Sequence, residues 1–394
     1  MTGTNTAPSG LVVGVDASRN RSGGAKAHLI GLLGAGEPAR HGIAQVHLWS
    51  YASLLDAVPD RPWLVKHAPP ALAGALPRQV LWQRYRLPRE AAAAGVDIML
   101  DTDAGTVSTF RPAVTMSRDM LSYEPGEIER FGLSKARLRL ELLRLLQNRS
   151  LRRADGAIFL TRHAAEVIQR SCGPVARIAY IPHGIGDDFK AARPAAPWPA
   201  TGERPVRCLY VSSAALYKHQ WHVVDAVARL RAEGRAVTLQ LVGGGAGPAR
   251  RRLDAQIAVS DPDRAFVEQL PFVPHGELPG HLAAADLFVF ASSCENMPNT
   301  LVEAMAVGLP IACAERGPMP EVLRDGGVYF DPEDPATIAA AIARILDEPD
   351  LRTGIAARAR GYADAYSWTR CADETWRFLA ETHQAVKARA AAGS

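Results

Sequence analysis

Apolar residues come along this chain in short runs, each followed by a stretch of mixed character at helical spacing. Leu11-Val-Val-Gly-Val-Asp16 reads as a buried strand, Ser22-Gly-Gly-Ala25 as a glycine turn, and Lys26–Leu33 as the helix that follows. Further strands are expected at Val46–Trp49, Leu64–Val65, Ile98–Leu100, Val114–Met116 and Ala157–Leu160, with helices at Leu133–Arg152 and Arg162–Ser171. Ala191–Pro205 is dominated by proline and alanine and reads as a linker. The alternation then restarts. Strands are expected at Val206–Ser212, Val237–Val242, Phe266–Leu270, Leu287–Phe290 and Pro310–Ala314, and helices at His219–Glu233, Pro335–Asp347 and Leu351–Tyr362. Strands alternating with helices predict parallel sheets covered on both faces, hence an α/β protein with two such halves.

Composition narrows this picture. A 394-residue chain with 47% hydrophobic and 22% charged residues has material for two sizeable cores and is neither a disordered nor a fibrous type. No apolar run approaches the roughly 20 residues that span a bilayer, and the polar start Met1–Gly10 does not read as a secretory signal. Five cysteines (172, 208, 294, 313, 371) show no paired spacing, so a reducing cytoplasm is the expected compartment. Residues 1–190 hold 24 Lys and Arg against 17 Asp and Glu, and the remainder 21 against 24. The first half is therefore the one suited to a negatively charged ligand or surface.

The most informative string is Ser292-Ser-Cys-Glu-Asn-Met-Pro-Asn-Thr-Leu-Val-Glu303, running on through Ala304-Met-Ala-Val-Gly-Leu-Pro310. It places Glu295 in a loop after a strand and Glu303 in a helix that starts at Pro298-Asn299-Thr300. A helix N-terminus offers unpaired N–H groups and a partial positive charge, which suits a phosphate. A carboxylate on either side can accept hydrogen bonds from sugar hydroxyls. The pattern fits a nucleotide-sugar.

These residues resemble the family 4 glycosyltransferases, retaining enzymes of the GT-B fold, in carrying Glu, seven residues, Glu, then Ala-Met-Ala-x-Gly308-x-Pro310. The resemblance implies two Rossmann-like domains facing each other across a cleft. Residues 1–190 would bind the acceptor, 191–205 would link, 206–365 would bind the nucleotide-sugar, and 366–394 would form a helix crossing back to the first domain. It implies no metal and no cofactor, the nucleotide-sugar being a substrate.

By the same resemblance, Lys218 pairs with the donor diphosphate, while Ser213 stands where the family usually has an arginine. Arg19 or Arg21 is a candidate source for that missing charge. Gly23 and Gly24 face the donor phosphates and the acceptor, Phe272 and Val273 line the nucleobase, and Asn299, Thr300 and Leu301 open the phosphate-binding helix. Glu303 would hold the nucleotide and Glu295 the transferred sugar. Arg118 occupies the place of a family histidine at the reaction centre, with Asp119 beside it. His183 is expected to be structural, and His219 and His222, three apart on a helix, lack a third metal ligand.

Leu133–Arg153 is rich in both leucine and arginine. Such a helix can lie on an anionic membrane, but the preferred reading has its leucines on the sheet and its arginines in water. The expected activity is retaining transfer of a sugar to an acceptor hydroxyl on a glycan or lipid-linked glycan, in bacterial surface-polysaccharide synthesis. The site of action would be the cytoplasm or the inner-membrane surface, and nucleic acid is no partner. The alternatives are a nucleotide-sugar epimerase and a non-catalytic sugar-nucleotide-binding subunit.

Overall fold

The computed structural model describes residues 10–21 and 23–392. The polar start Met1–Ser9, and Ser22 of the expected glycine turn, lie outside the described residues. The chain divides into two units. Unit 1 comprises residues 1–184 and 367–394, and unit 2 residues 185–366.

Unit 1 is built on a parallel sheet in the order β3-β2-β1-β4-β5-β6-β7. Its strands are β1 (Leu11–Asp16), β2 (Ile43–Trp49), β3 (Leu64–His67), β4 (Ile98–Asp101), β5 (Ala113–Ser117), β6 (Gly156–Phe159) and β7 (Ile178–Tyr180). Val13, Val15, Leu48, Leu100, Val114 and Ile158 are all buried, as befits strands covered on both faces. The helix Gly23–Ala35 buries Leu29, Leu32 and Leu33. Along it packs the long helix Trp368–Ala392, which buries Trp376, Phe378 and Leu379. The approach is close: a Cβ at Gly31 would lie 2.2 Å from the Trp368 ring.

Unit 2 repeats the plan with six parallel strands in the order β10-β9-β8-β11-β12-β13. These are β8 (Val206–Val211), β9 (Val237–Val242), β10 (Val267–Leu270), β11 (Leu287–Phe290), β12 (Ile311–Ala314) and β13 (Val328–Phe330). In each sheet the winding reverses once, between β1 and β4 and between β8 and β11. The loops leaving the carboxyl ends of those strands part there and leave a crevice, the usual ligand site of such sheets.

One expectation changes. Gly23 and Gly24 are not a turn before the helix but its first two residues. Residues 191–205, expected as the linker, pack on unit 2. Phe189 is fully buried in the short helix Asp187–Ala191, the Ala195 N–H donates to the Ala283 carbonyl at 2.7 Å, and Arg352 stacks over Trp198 at 4.0 Å. Proline-rich composition rules out a regular element here but does not prevent docking.

Arg204 closes this segment onto the entry to β11. Its Nη2 donates to Asp286 Oδ1 at 2.8 Å, and the Arg207 N–H donates to Oδ2 at 2.8 Å. Burial alone would push the Asp286 carboxyl up, but these donors outweigh it and hold it below the usual range. A depressed folded-state pKa contributes stability above the unfolded value near 4, and that contribution is lost as the pH falls through the folded value. Asp286→Ala is expected to cost about 1–3 kcal/mol at pH 7. Urea unfolding should show the gap to wild type narrowing below pH 4; a gap independent of pH would contradict this role.

Candidate active site

In unit 2, the loop leaving β8 ends in a 3-10 turn, Leu216–Lys218, and His219 takes a left-handed conformation (φ 47°) that swings the chain into the helix Gln220–Ala232. Buried His219 lies with Nε2 2.9 Å from Ser293 Oγ, and the Ser293 N–H donates to the Tyr217 carbonyl at 2.8 Å. These contacts fasten the β8 loop to the β11 loop. The Tyr210 hydroxyl adds a bond to the Lys218 carbonyl at 2.7 Å. From behind, Gly243 supports the loop so closely that a Cβ there would stand 2.3 Å from the Ser212 carbonyl.

This frame brings Lys218 and Glu295 together. The Lys218 ammonium donates to Glu295 Oε1, with the two side chains 12% and 14% exposed. The rings of Tyr217 and Phe290 lie 5.2 and 5.6 Å from the ammonium. A charge pair so enclosed is worth more than one in water. Ser213 lies exposed in the same loop.

The helix Asn299–Val307 begins next to it, and no side chain caps its start. Asn299 and Thr300 are half-buried, while the Leu301 side chain is fully buried and its N–H donates to the Pro298 carbonyl at 3.0 Å. Glu303 is 7% exposed. Its Oε1 lies 2.8 Å from His275 Nε2, and that hydrogen bond raises the His275 pKa above its ordinary value. Its Oε2 is buried with no hydrogen-bond partner. Native structures keep few such orphans, so each needs a reason. Beyond the end of β10, Phe272 is 79% exposed and Val273 half-buried.

In unit 1, β1 and β4 end on carboxylates that are register neighbours, Asp16 and Asp101. Asp16 accepts from Gln83 Nε2 at 2.5 Å and from the Ser18 N–H at 3.0 Å. Burial, reinforced by the charge of Asp16, pushes the Asp101 carboxyl well up. Asn20 is the hub. Its Oδ1 accepts from Thr102 Oγ1 (2.9 Å) and Arg118 Nη2 (2.7 Å), and its Nδ2 donates to the Ala25 carbonyl (3.3 Å) in the first turn of the Gly23 helix. Arg118, with a side chain 10% exposed, also lies 3.8 Å from Asp103, as Arg19 does at 3.6 Å.

Asn20 thus brings Arg118 and the start of the Gly23 helix together. Asp119 accepts from the Leu121 N–H (3.1 Å) and Ser122 Oγ (3.1 Å) within its own turn, and from Gln147 Nε2 (3.4 Å) on the helix Lys135–Arg153. Arg21 stacks over Tyr51 at 3.8 Å and donates to the Leu72 carbonyl. His183 is buried and stacks on His28 at 4.5 Å. His222 Nδ1 lies 2.9 Å from the Pro332 carbonyl. Among the described residues no three His, Cys, Asp or Glu side chains gather as a metal site.

Several of these residues were not picked out from the sequence. Asp16 and Asp101 each close an apolar strand with a carboxylate, a signal that could have been read. His275, Asn20 and Gln83 have no local signature and are found only through their partners.

Residues 205–348 match the profile of the family described as "Glycosyl transferases group 1". This segment of unit 2 is a group 1 glycosyl transferase domain. Among curated proteins, the chain is 34% identical over 110 residues to the O-antigen chain mannosyltransferase B of Escherichia coli, covering 28% of this chain and 29% of that one. It is 26% identical over 290 residues to the 2-deoxystreptamine glucosyltransferase of Streptomyces kanamyceticus, covering 70% and 69%. Among solved structures, sucrose-phosphate synthase from Thermosynechococcus elongatus superposes with a TM-score of 0.72 at 18% identity over 98% of this chain and 100% of that one. Anabaena HepE in complex with UDP-glucose gives 0.68 at 19% over 95% and 100%. The group 1 domain therefore sits in a chain of GT-B fold, two Rossmann-like units in sequence.

Proposed function

We propose that the chain is a retaining, family 4-like glycosyltransferase that moves a sugar from a nucleoside-diphosphate donor to an acceptor hydroxyl. The observation that carries this is the enclosed Lys218–Glu295 pair, set where β8 and β11 part and beside an uncapped helix N-terminus. Lys218 and the Asn299–Thr300 helix start hold the diphosphate, Ser213 donates one hydrogen bond, Phe272 and Val273 flank the base, and Glu303 Oε2 accepts from the ribose. Glu295 orients the sugar. Within unit 1, Arg118 and the Gly23–Gly24 helix start bind the acceptor, and Asp119 shapes the turn that carries Arg118.

In the reaction the bond between the anomeric carbon and the phosphate oxygen breaks, and positive charge builds on the sugar. The acceptor oxygen bonds to the same face, and its proton passes to a departing phosphate oxygen. Lys218 and the helix end stabilise the diphosphate as it gains charge, so the chemistry asks for no cation. The mannosyltransferase relative and the UDP-glucose complex of HepE support sugar nucleotides as donors. O-antigen in the name of the former supports a glycan or lipid-linked glycan of the bacterial surface as acceptor, made in the cytoplasm.

Incubation with UDP-glucose or GDP-mannose, a lipid-linked acceptor and EDTA tests this reading. NMR of the product is expected to show the donor's anomeric configuration kept. An inverted product would overturn the retaining mechanism, isomerised donor would mark an epimerase, and binding without turnover a non-catalytic subunit.

A further inference from the structure

The leucine-rich helix does not do what its sequence favoured. In the helix Lys135–Arg153 only Leu140 and Leu151 among the leucines are buried. Leu138, Leu142 and Leu145, spaced at four and three residues and so on one face, are 61%, 57% and 64% exposed. Leu133, just before the helix, is fully exposed. A second helical segment of the same unit, Leu76–Ala93, does likewise. It turns Trp82 and Gln83 inward through a π turn and leaves Leu76, Leu81 and Tyr85 about 60% exposed.

The two segments are neighbours. Leu81, Arg84 and Tyr85 of one and Leu146, Arg149 and Arg153 of the other line the same cavity of about 610 Å³. Of nine large hydrophobic residues that stand exposed among the described residues, seven belong to these two segments and the approach to the helix Lys135–Arg153. The charge around them is one-sided, with eleven Lys and Arg against two Glu in residues 76–93 and 135–153. One of those Glu, Glu141, is already paired with Arg144. No helix among the described residues is long and apolar enough to cross a membrane.

We infer that this two-helix face of unit 1 is a docking surface for an anionic phospholipid bilayer. Leu138, Leu142, Leu145 and Leu81 enter the headgroup boundary, and the arginines beside them meet the lipid phosphates. Apolar insertion and charge attraction act together here, as in helices that lie in the interface plane. Folded cores bury leucines at this spacing, and a cluster of them ringed by guanidinium groups matches an interface that is apolar below and negative above. The inference stands apart from the donor chemistry, which lies in unit 2.

Vesicle flotation tests it with the full chain. The protein is expected to float with vesicles of equal parts phosphatidylglycerol and phosphatidylcholine, and to stay with the buffer when phosphatidylcholine is used alone. In 0.5 M salt binding should fall at least tenfold, because exposed charges are screened. Leu142→Asp with Leu145→Asp should lower binding at least tenfold, as should Arg84→Gln with Arg149→Gln, while both variants keep the wild-type unfolding temperature and affinity for UDP or GDP. Equal binding to neutral vesicles, or variants that bind like wild type, would overturn the inference. So would leucine variants that convert an oligomer to a monomer without changing flotation, since the face would then join two copies of this chain.

Discussion

Lys218→Ala is expected to lower kcat by about 100- to 1000-fold, the scale for losing one preorganised donor to a developing anion. The donor KM should change far less. The reason lies in when the charge matters. In the ground state the ammonium already has a carboxylate, Glu295, and shares its enclosure with two aromatic rings. As the sugar departs, the diphosphate gains charge and becomes the stronger partner, so the lysine contributes most at the transition state. Glu295→Gln separates the two roles. It keeps the lysine, so free UDP or GDP should bind with near-normal affinity, whereas the full sugar nucleotide should turn over poorly. Steady-state kinetics with calorimetry on both variants checks this. A Lys218→Ala enzyme with normal kcat at saturating donor removes the lysine from the mechanism.

Glu303→Ala is expected to weaken free nucleoside diphosphate and sugar nucleotide equally, by about 10- to 150-fold, corresponding to about 1.5–3 kcal/mol for a hydrogen bond to a charged group. Oε1 is occupied by His275, so the ribose must use Oε2, the buried oxygen without a partner. His275 supplies an internal control. Its pKa is raised by Glu303, so the pair contributes stability fully below the unfolded value near 6.5 and loses it as the pH climbs through the folded value. In the Ala variant the His275 titration followed by NMR should move down towards its ordinary range. Unchanged nucleotide affinity together with a shifted His275 would show that Glu303 is bound to His275 alone and not to the ligand.

Most strands were legible because each is a short apolar run buried on both faces, whereas the three-residue strands β7 and β13 were not expected. β1, β9 and β11 fall where the run itself begins and ends. The carboxylate pair was legible because its spacing is fixed within one loop and one helix. What could not be read depends on contacts far apart in sequence. His275 is defined by a partner 28 residues away and Gln83 by one 67 residues away. Asp119 follows Arg118 in sequence, yet its carboxylate is taken up by Ser122 and by Gln147, 28 residues away. The leucine helix misled for the opposite reason. Periodicity says that residues share a face but not which way that face points, and here Leu140 and Leu151 alone sufficed to seat it.

The helix Trp368–Ala392 completes unit 1 from the far end of the chain, supplying Trp376 and Phe378 to its core and the Arg177–Thr382 bond at 3.2 Å. Unit 2, by contrast, is one continuous stretch. On the ribosome the first sheet to be translated is therefore the last to be finished. Residues 10–184 emerge with the seat of Trp376 uncovered and wait through nearly two hundred further codons, while unit 2 has every residue it needs before that helix is made. Nascent chains released before residue 368 should hold a protease-resistant unit 2 beside a protease-sensitive unit 1, the reverse of the usual order in which amino-terminal domains settle first.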